Sequence, residues 1–185
     1  MSSRPALLLV DVQRDYLARA GLTPDARSLV DALSALLAWA RAQGWPVFHV
    51  QTRVAADGSD WMPHWRATGR ALCIDGTPGA EPPAGLEPLA DERVVRKRFF
   101  SAFENPELLP ALRARKIDTV IVAGVHTHAC VRSAVLDAYA NGFEVLVPTD
   151  AVGSYDPAHA ELTLEWLNGR AATCLPTAEL TKRFG

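Results

Sequence analysis

Short unbroken apolar runs alternate along the chain with longer stretches in which apolar residues return every three or four positions. Ala6 to Val10 is a continuous apolar run that stops at Asp11. A run of that length without polar alternation predicts a strand covered on both faces, as in the centre of a parallel sheet. From Asp25 to Ala42 the period changes. Leu29, Leu33, Leu36, Leu37 and Ala40 fall on one side of a helix that Pro24 and Asp25 open and Gly44 ends. Pro46 to Val50 predicts a second strand, Val94 and Val95 a third, and Glu104 to Ala114 a helix. Thr119 to Ala123 reads as the strongest buried strand. It runs through Gly124 into a helix from about Ala129 to Ala140, capped by Asn141 and Gly142. Phe143 to Val147, Pro157 to Asn168, Ala171 to Leu175 and the residues from Thr177 onward complete the series as strand, helix, strand, helix.

Strands alternating with helices predict an α/β fold: a central parallel sheet with helices on both faces. The rhythm breaks once. Arg53 to Pro88 is rich in Gly, Pro and Trp and has little periodicity. A segment that long is read as a functional loop or lid. Trp61 and Trp65 within it either close over a substrate or pack the loop down. No repeat or low-complexity segment divides the chain, so residues 1–185 are read as a single domain.

Composition narrows the classes. With 49% hydrophobic and 22% charged residues the chain is globular rather than disordered. A net charge of -2 and the absence of a basic stripe speak against a nucleic-acid partner. The Ala6–Val10 run is too short to span a membrane and has no signal-peptide form, which predicts a cytoplasmic protein without a membrane partner. Cys73, Cys130 and Cys174 are odd in number and widely spaced, so they form no disulfide framework. No CxxC pair suggests structural zinc.

In sheets of this kind ligands bind beyond the carboxyl ends of the strands. The first strand ends at Asp11, the second near Gln51, the third leads into Lys97, and the fourth delivers Cys130 at the start of a helix. Each has an ordinary structural reading when taken alone. Asp11 is then a pairing or capping acid, Lys97 part of a solvated basic cluster with Arg96 and Arg98, and Cys130 a small buried hydrophobe. Their convergence on one edge of the sheet selects the functional reading. A helix N-terminus and a nearby ammonium would both stabilise the Cys130 thiolate. Backbone N–H groups in the turn before it would bind an oxyanion.

These residues resemble the isochorismatase-like cysteine hydrolase superfamily. Leu8-Leu9-Val10-Asp11-Val12-Gln13-Arg14-Asp15-Tyr16 is similar to the family's opening segment, with Arg14 in place of the usual Asn. Lys97-Arg98-Phe99-Phe100-Ser101-Ala102-Phe103 resembles the lysine segment, and Gly124-Val125-His126-Thr127-His128-Ala129-Cys130-Val131 the nucleophile turn. Asp137-Ala138 and Thr149-Asp150-Ala151 also match. The resemblance covers nearly the whole chain.

It implies a Rossmann-like three-layer sandwich and a catalytic triad of Asp11, Lys97 and Cys130. It further implies a cis peptide between Val125 and His126, and an oxyanion hole made of the N–H groups of His126 and Cys130. The activity implied is cysteine-dependent hydrolysis of a C–N bond in a small amide, carbamoyl or ureido compound, through a thioester. A vinyl ether hydrolase of the isochorismatase type and an inactive binding module on the same scaffold are the alternatives. A nucleotide-binding domain is disfavoured because no GxGxxG follows the first strand.

The expected pocket residues are Gln13, Tyr16, Gln51, Trp61, Trp65, Phe100 and His126. No cofactor and no metal are expected. The positions matching the Asp-x-His of zinc-dependent nicotinamidases are Val54 and Ala56, which leaves His64 without evident partners. His49, His126 and His128 are read as hydrogen-bonded structural or pocket histidines. The expected partners are a small-molecule substrate and further copies of the chain, as a dimer or tetramer.

Overall fold

The structure is a computed structural model that describes residues 3–185. Its centre is a parallel sheet in the order β3 (Arg93–Lys97), β2 (Val47–Thr52), β1 (Pro5–Val10), β4 (Thr119–Val125), β5 (Glu144–Pro148), β7 (Thr173–Leu175). A two-residue strand, β6 (Val152–Gly153), pairs with the end of β4. The helices are α1 (Arg14–Leu17), α2 (Ala26–Ala42), α3 (Pro63–Thr68), α4 (Leu108–Ala114), α5 (Arg132–Ala140), α6 (Pro157–Leu167) and α7 (Thr177–Phe184).

Every residue of β1 is buried, and its side chains alternate between two apolar layers. Ala6, Leu8 and Val10 face α4, α5 and the end of α6, where they meet Leu108, Leu112, Ala134, Val135 and Leu167. Leu7 and Leu9 face α2 and α7, and pack with Leu29, Leu33, Leu36, Leu37 and Leu180. This is why the strand lacks polar alternation: there is no solvent face for it to present. The apolar stripe of α2 is the one its spacing predicts, and its start is fixed by Asp25, whose carboxylate accepts the N–H groups of Arg27 and Ser28.

Some boundaries differ from the sequence pattern for local reasons. The helix expected from Glu104 begins only at Leu108. Asn105 precedes Pro106 and is held at an extended ψ of 117°, so the chain first makes a single 3-10 turn at Ala102–Glu104. Pro110 is tolerated because it lies in the first turn of α4, where its missing N–H has no partner to lose. The 53–88 segment is not structureless. It contains α3 and a 3-10 turn at Pro78–Ala80. The start of the helix carrying Cys130 is a wider π-helical turn, Thr127–Val131, before regular α5. Among the described residues no helix is long and apolar enough to cross a membrane.

The connections run outward from β1 in both directions, through β2 and β3 on one side and β4 and β5 on the other. The order reverses between β1 and β4, and the crevice at such a switch point is where α/β sheets gather their ligands.

Candidate active site

Four strand ends build this crevice. Asp11 follows β1 with a φ of 53°, in the left-handed region that Asp tolerates better than most residues. Its N–H donates to Val50 O at 2.8 Å, which keeps it in register with β2 while the chain turns out of the sheet. Gly124, opposite Val10 on β4, has a φ of +117°, and a Cβ there would stand 2.1 Å from Val10 O. Only glycine allows β4 to run so close to the residue before Asp11.

Lys97 is the last residue of β3 and is the register partner of Thr52 on β2. Its Nζ lies 2.8 Å from Asp11 Oδ2 and donates to Thr52 Oγ1 at 2.8 Å, to Phe99 O at 2.9 Å and to Cys130 Sγ at 3.5 Å. Thr52 completes a ring: its N–H and hydroxyl both donate to Asp11 Oδ1, at 3.0 and 2.9 Å. Gln13 braces Thr52 in turn. It accepts the Thr52 N–H and donates to the carbonyls of Thr52 and Ala80. Asp11, Lys97 and Cys130 are all buried, and the Cys130 residue as a whole keeps 6% exposure.

Burial dominates the electrostatics of the site. Burial pushes the Cys130 thiol well up, and the Asp11 carboxylate pushes it further; Lys97 opposes both and does not prevail. The surroundings thus favour the thiol form, beside a carboxylate placed to take its proton. Burial pulls Lys97 down, but Asp11 and then Cys130 outweigh it, and the ammonium is held above its ordinary range. Tyr16 is raised first by burial and then by Asp11 and Cys130, which puts its phenol in the field of the same two groups.

The Val125–His126 peptide is cis, as the resemblance implies. His126 O accepts the N–H groups of Ala129 and Val131, closing the turn that presents Cys130. The His126 ring meets Tyr16 and Tyr155 edge-on, with centroids 5.5 and 4.7 Å apart. The other expected pocket residues are placed less uniformly. Gln51 is buried and accepts from Arg53. Trp61 donates to Ala55 O and lies over Gly58, so it packs its own loop. Phe100 is 45% exposed and stacks on His64, which also meets Trp65. A cleft of about 380 Å³ opens beside Lys97, lined also by Arg53, Asp60, Asp75 and Glu104.

His49 lies 2.8 Å from Glu92, and His128 lies 2.7 Å from Ser154 Oγ. Among the described residues no group of three or more His, Cys, Asp or Glu is arranged to hold a metal ion. Thr52 is the residue that sequence reasoning missed. The signal was its place one residue past Gln51, at the true end of β2, which the apolar run understated by two positions.

Comparison with known proteins decides the family. The isochorismatase domain model matches residues 5–179. The chain belongs to the isochorismatase family. It is 34% identical over 167 residues to a maleamate amidohydrolase of Pseudomonas putida, covering 86% of this chain and 78% of that protein. The crystal structure of an isochorismatase family protein from Desulfovibrio vulgaris superposes with a TM-score of 0.89 at 37% identity, over 98% of both chains. A cysteine hydrolase from Pseudomonas syringae superposes with a TM-score of 0.89 at 26% identity, over 98% of this chain and 92% of that one. The protein is thus a hydrolase of the isochorismatase family, on the three-layer α/β scaffold its strand pattern predicts.

Proposed function

We propose that this isochorismatase-family hydrolase cleaves the C–N bond of a small amide, carbamoyl or ureido compound, with Cys130 as nucleophile. One observation carries the reading: a single ammonium, Lys97 Nζ, stands 2.8 Å from the Asp11 carboxylate and 3.5 Å from the Cys130 sulfur. The names of the P. putida and P. syringae relatives, an amidohydrolase and a cysteine hydrolase, support the same chemistry.

The sulfur attacks the amide carbonyl while its proton passes to Asp11. The carbonyl π pair becomes an oxyanion, held by the N–H groups of His126 and Cys130. Collapse expels the amine, which takes the proton from Asp11 and leaves a thioester on Cys130. Asp11 then removes a proton from water as it adds to the thioester. Collapse of that intermediate releases the carboxylic acid, and the proton returns to the sulfur. A thiol needs a base at the moment of attack, and Asp11 is placed for it. Lys97 pairs with the carboxylate and offsets charge on sulfur as it develops. Thr52 holds Oδ1, which leaves Oδ2 turned toward the lysine and the reacting side.

The test is an ammonia-release screen across small amides, carbamoyl amino acids and ureido acids, with Cys130→Ala as control. The proposal expects release by the wild type and none by the variant, with the fold retained. Release that persists in Cys130→Ala, or vinyl ether cleavage that survives the substitution, contradicts it.

A further inference from the structure

Among the described residues, the buried side-chain nitrogens and oxygens left without a hydrogen-bond partner are Asp11 Oδ2 and the two ring nitrogens of His126. All three belong to the same end of the sheet. Asp11 Oδ2 is compensated by Lys97. His126 is not compensated: it is 4% exposed, its ring is walled by Tyr16 and Tyr155, and it bonds to neither. Leaving one buried donor or acceptor unpaired costs about 1–3 kcal/mol, so two on one ring need a partner that the polypeptide does not provide. Tyr16, which touches this ring edge-on, lies in the field of Asp11 and Cys130, and His126 itself begins the turn that ends at Cys130. The orphaned nitrogens thus belong to the residue that joins the end of β4 to the turn carrying Cys130, with Tyr16, His128 and Tyr155 around the ring.

We propose that His126 sets specificity by binding the non-reacting end of the substrate, and that this end is a neutral group carrying both a donor and an acceptor, such as a second carboxamide or a ureido group. This rests on the amidase reading above and adds the substrate class. Burial first, and then His128 and Arg19, hold the imidazole down at about 3, so it is neutral under ordinary conditions. A neutral imidazole offers one N–H and one lone pair. A carboxamide or ureido group answers both, with its C=O and its N–H. A carboxylate answers only the N–H and brings an unpaired charge into a buried site. Lys97 and Arg19, cations at this end of the sheet, both already hold contacts. Lys97 is engaged by Asp11, Thr52, Phe99 and Cys130, and Arg19 lies over the Tyr155 ring at 3.7 Å.

The experiment uses Cys130→Ala protein with ¹⁵N-labelled histidine, titrated separately with malonamide, malonamate and butyramide. Malonamide is expected to move both ring nitrogen resonances of His126 while the ring stays neutral, and to bind at least about tenfold more tightly than either other compound. His126→Phe should bring malonamide to within about threefold of butyramide, and His126→Gln, which restores a donor and an acceptor, should recover most of the difference. Unmoved resonances, malonamate binding as tightly as malonamide, or a malonamide affinity unchanged in His126→Phe would overturn the inference. The ¹⁵N titration is independent of whether the Phe variant folds. Because binding is read without turnover, failure of the amidase reading shows separately, as ammonia release that Cys130→Ala does not abolish.

Discussion

Asp11 and Glu92 are both buried carboxylates that face a cation, yet they sit in opposite kinds of site. Both oxygens of Glu92 are bonded: Arg41 holds them at 2.7 and 2.8 Å, and the Leu89 N–H and His49 Nε2 converge on Oε2. That network joins α2, β2 and the approach to β3. Asp11 has Oδ1 fixed by Thr52, while Oδ2 faces Lys97 and accepts no aligned hydrogen bond. The two buried histidines repeat the contrast. Burial lowers both, but His49 is paired with Glu92 and His126 with nothing. Burial and charge are common to both regions, and what separates them is incomplete satisfaction. A closed network is built for stability, and an open one waits for a molecule to complete it.

Breaking the open network should cost activity first. Cys130→Ala should lower ammonia release by about a thousandfold or more, with an unchanged far-ultraviolet spectrum and a urea midpoint near that of the wild type. Lys97→Met should also abolish turnover, and it should destabilise the fold by about 3–5 kcal/mol in urea unfolding, because it leaves Asp11 buried without its cation. Thr52→Val keeps the backbone N–H on Asp11 and removes the hydroxyl between Asp11 and Lys97. Its expected effect is an intermediate fall in kcat, about ten- to a hundredfold, with KM little changed.

Breaking the closed network should do the reverse. Glu92→Gln should leave kcat/KM within about twofold while costing about 1–3 kcal/mol of stability. Burial raises Glu92, but Arg41, the Leu89 N–H and His49 outweigh it and hold the carboxyl at about 2, below its ordinary 4.5. A depressed acid stabilises the fold above its unfolded value and loses that contribution as pH falls toward the folded one. The urea midpoint of the wild type should therefore drop between about pH 4.5 and 2, and Glu92→Gln should flatten that drop. His49, lowered by burial, adds a decline of the same sign that begins as pH falls through about 6.5.

The open site is largely legible in the sequence. The unbroken apolar runs of β1 and β4 marked central strands because both faces are covered, and the order of strand ends brought Asp11, Lys97 and Cys130 to one edge. What the sequence hid was set by pairing rather than pattern. Thr52 is polar at the end of an apolar strand, and its role depends on standing opposite Lys97, a register no local periodicity encodes. Gln13 was expected to line a pocket; it instead ties Thr52 to the carbonyl of Ala80, 67 residues away. The helix terminus and the lysine beside Cys130 are visible in the sequence, whereas the depth of burial that pushes its thiol up is not. Satisfied and orphaned histidines look alike in a sequence; only the partners of His49 and His126 tell them apart.

The central claim is that sulfur 130 becomes covalently joined to the acyl part of the substrate. Rapid acid quench during turnover of an amide found in the screen, followed by intact-mass measurement and peptide mapping, reads this directly. The account predicts a mass increase equal to the acyl group, located on the peptide holding Cys130 and missing from Cys130→Ala. Steady turnover with no adduct at any quench time, together with undiminished activity in Cys130→Ala, would contradict it.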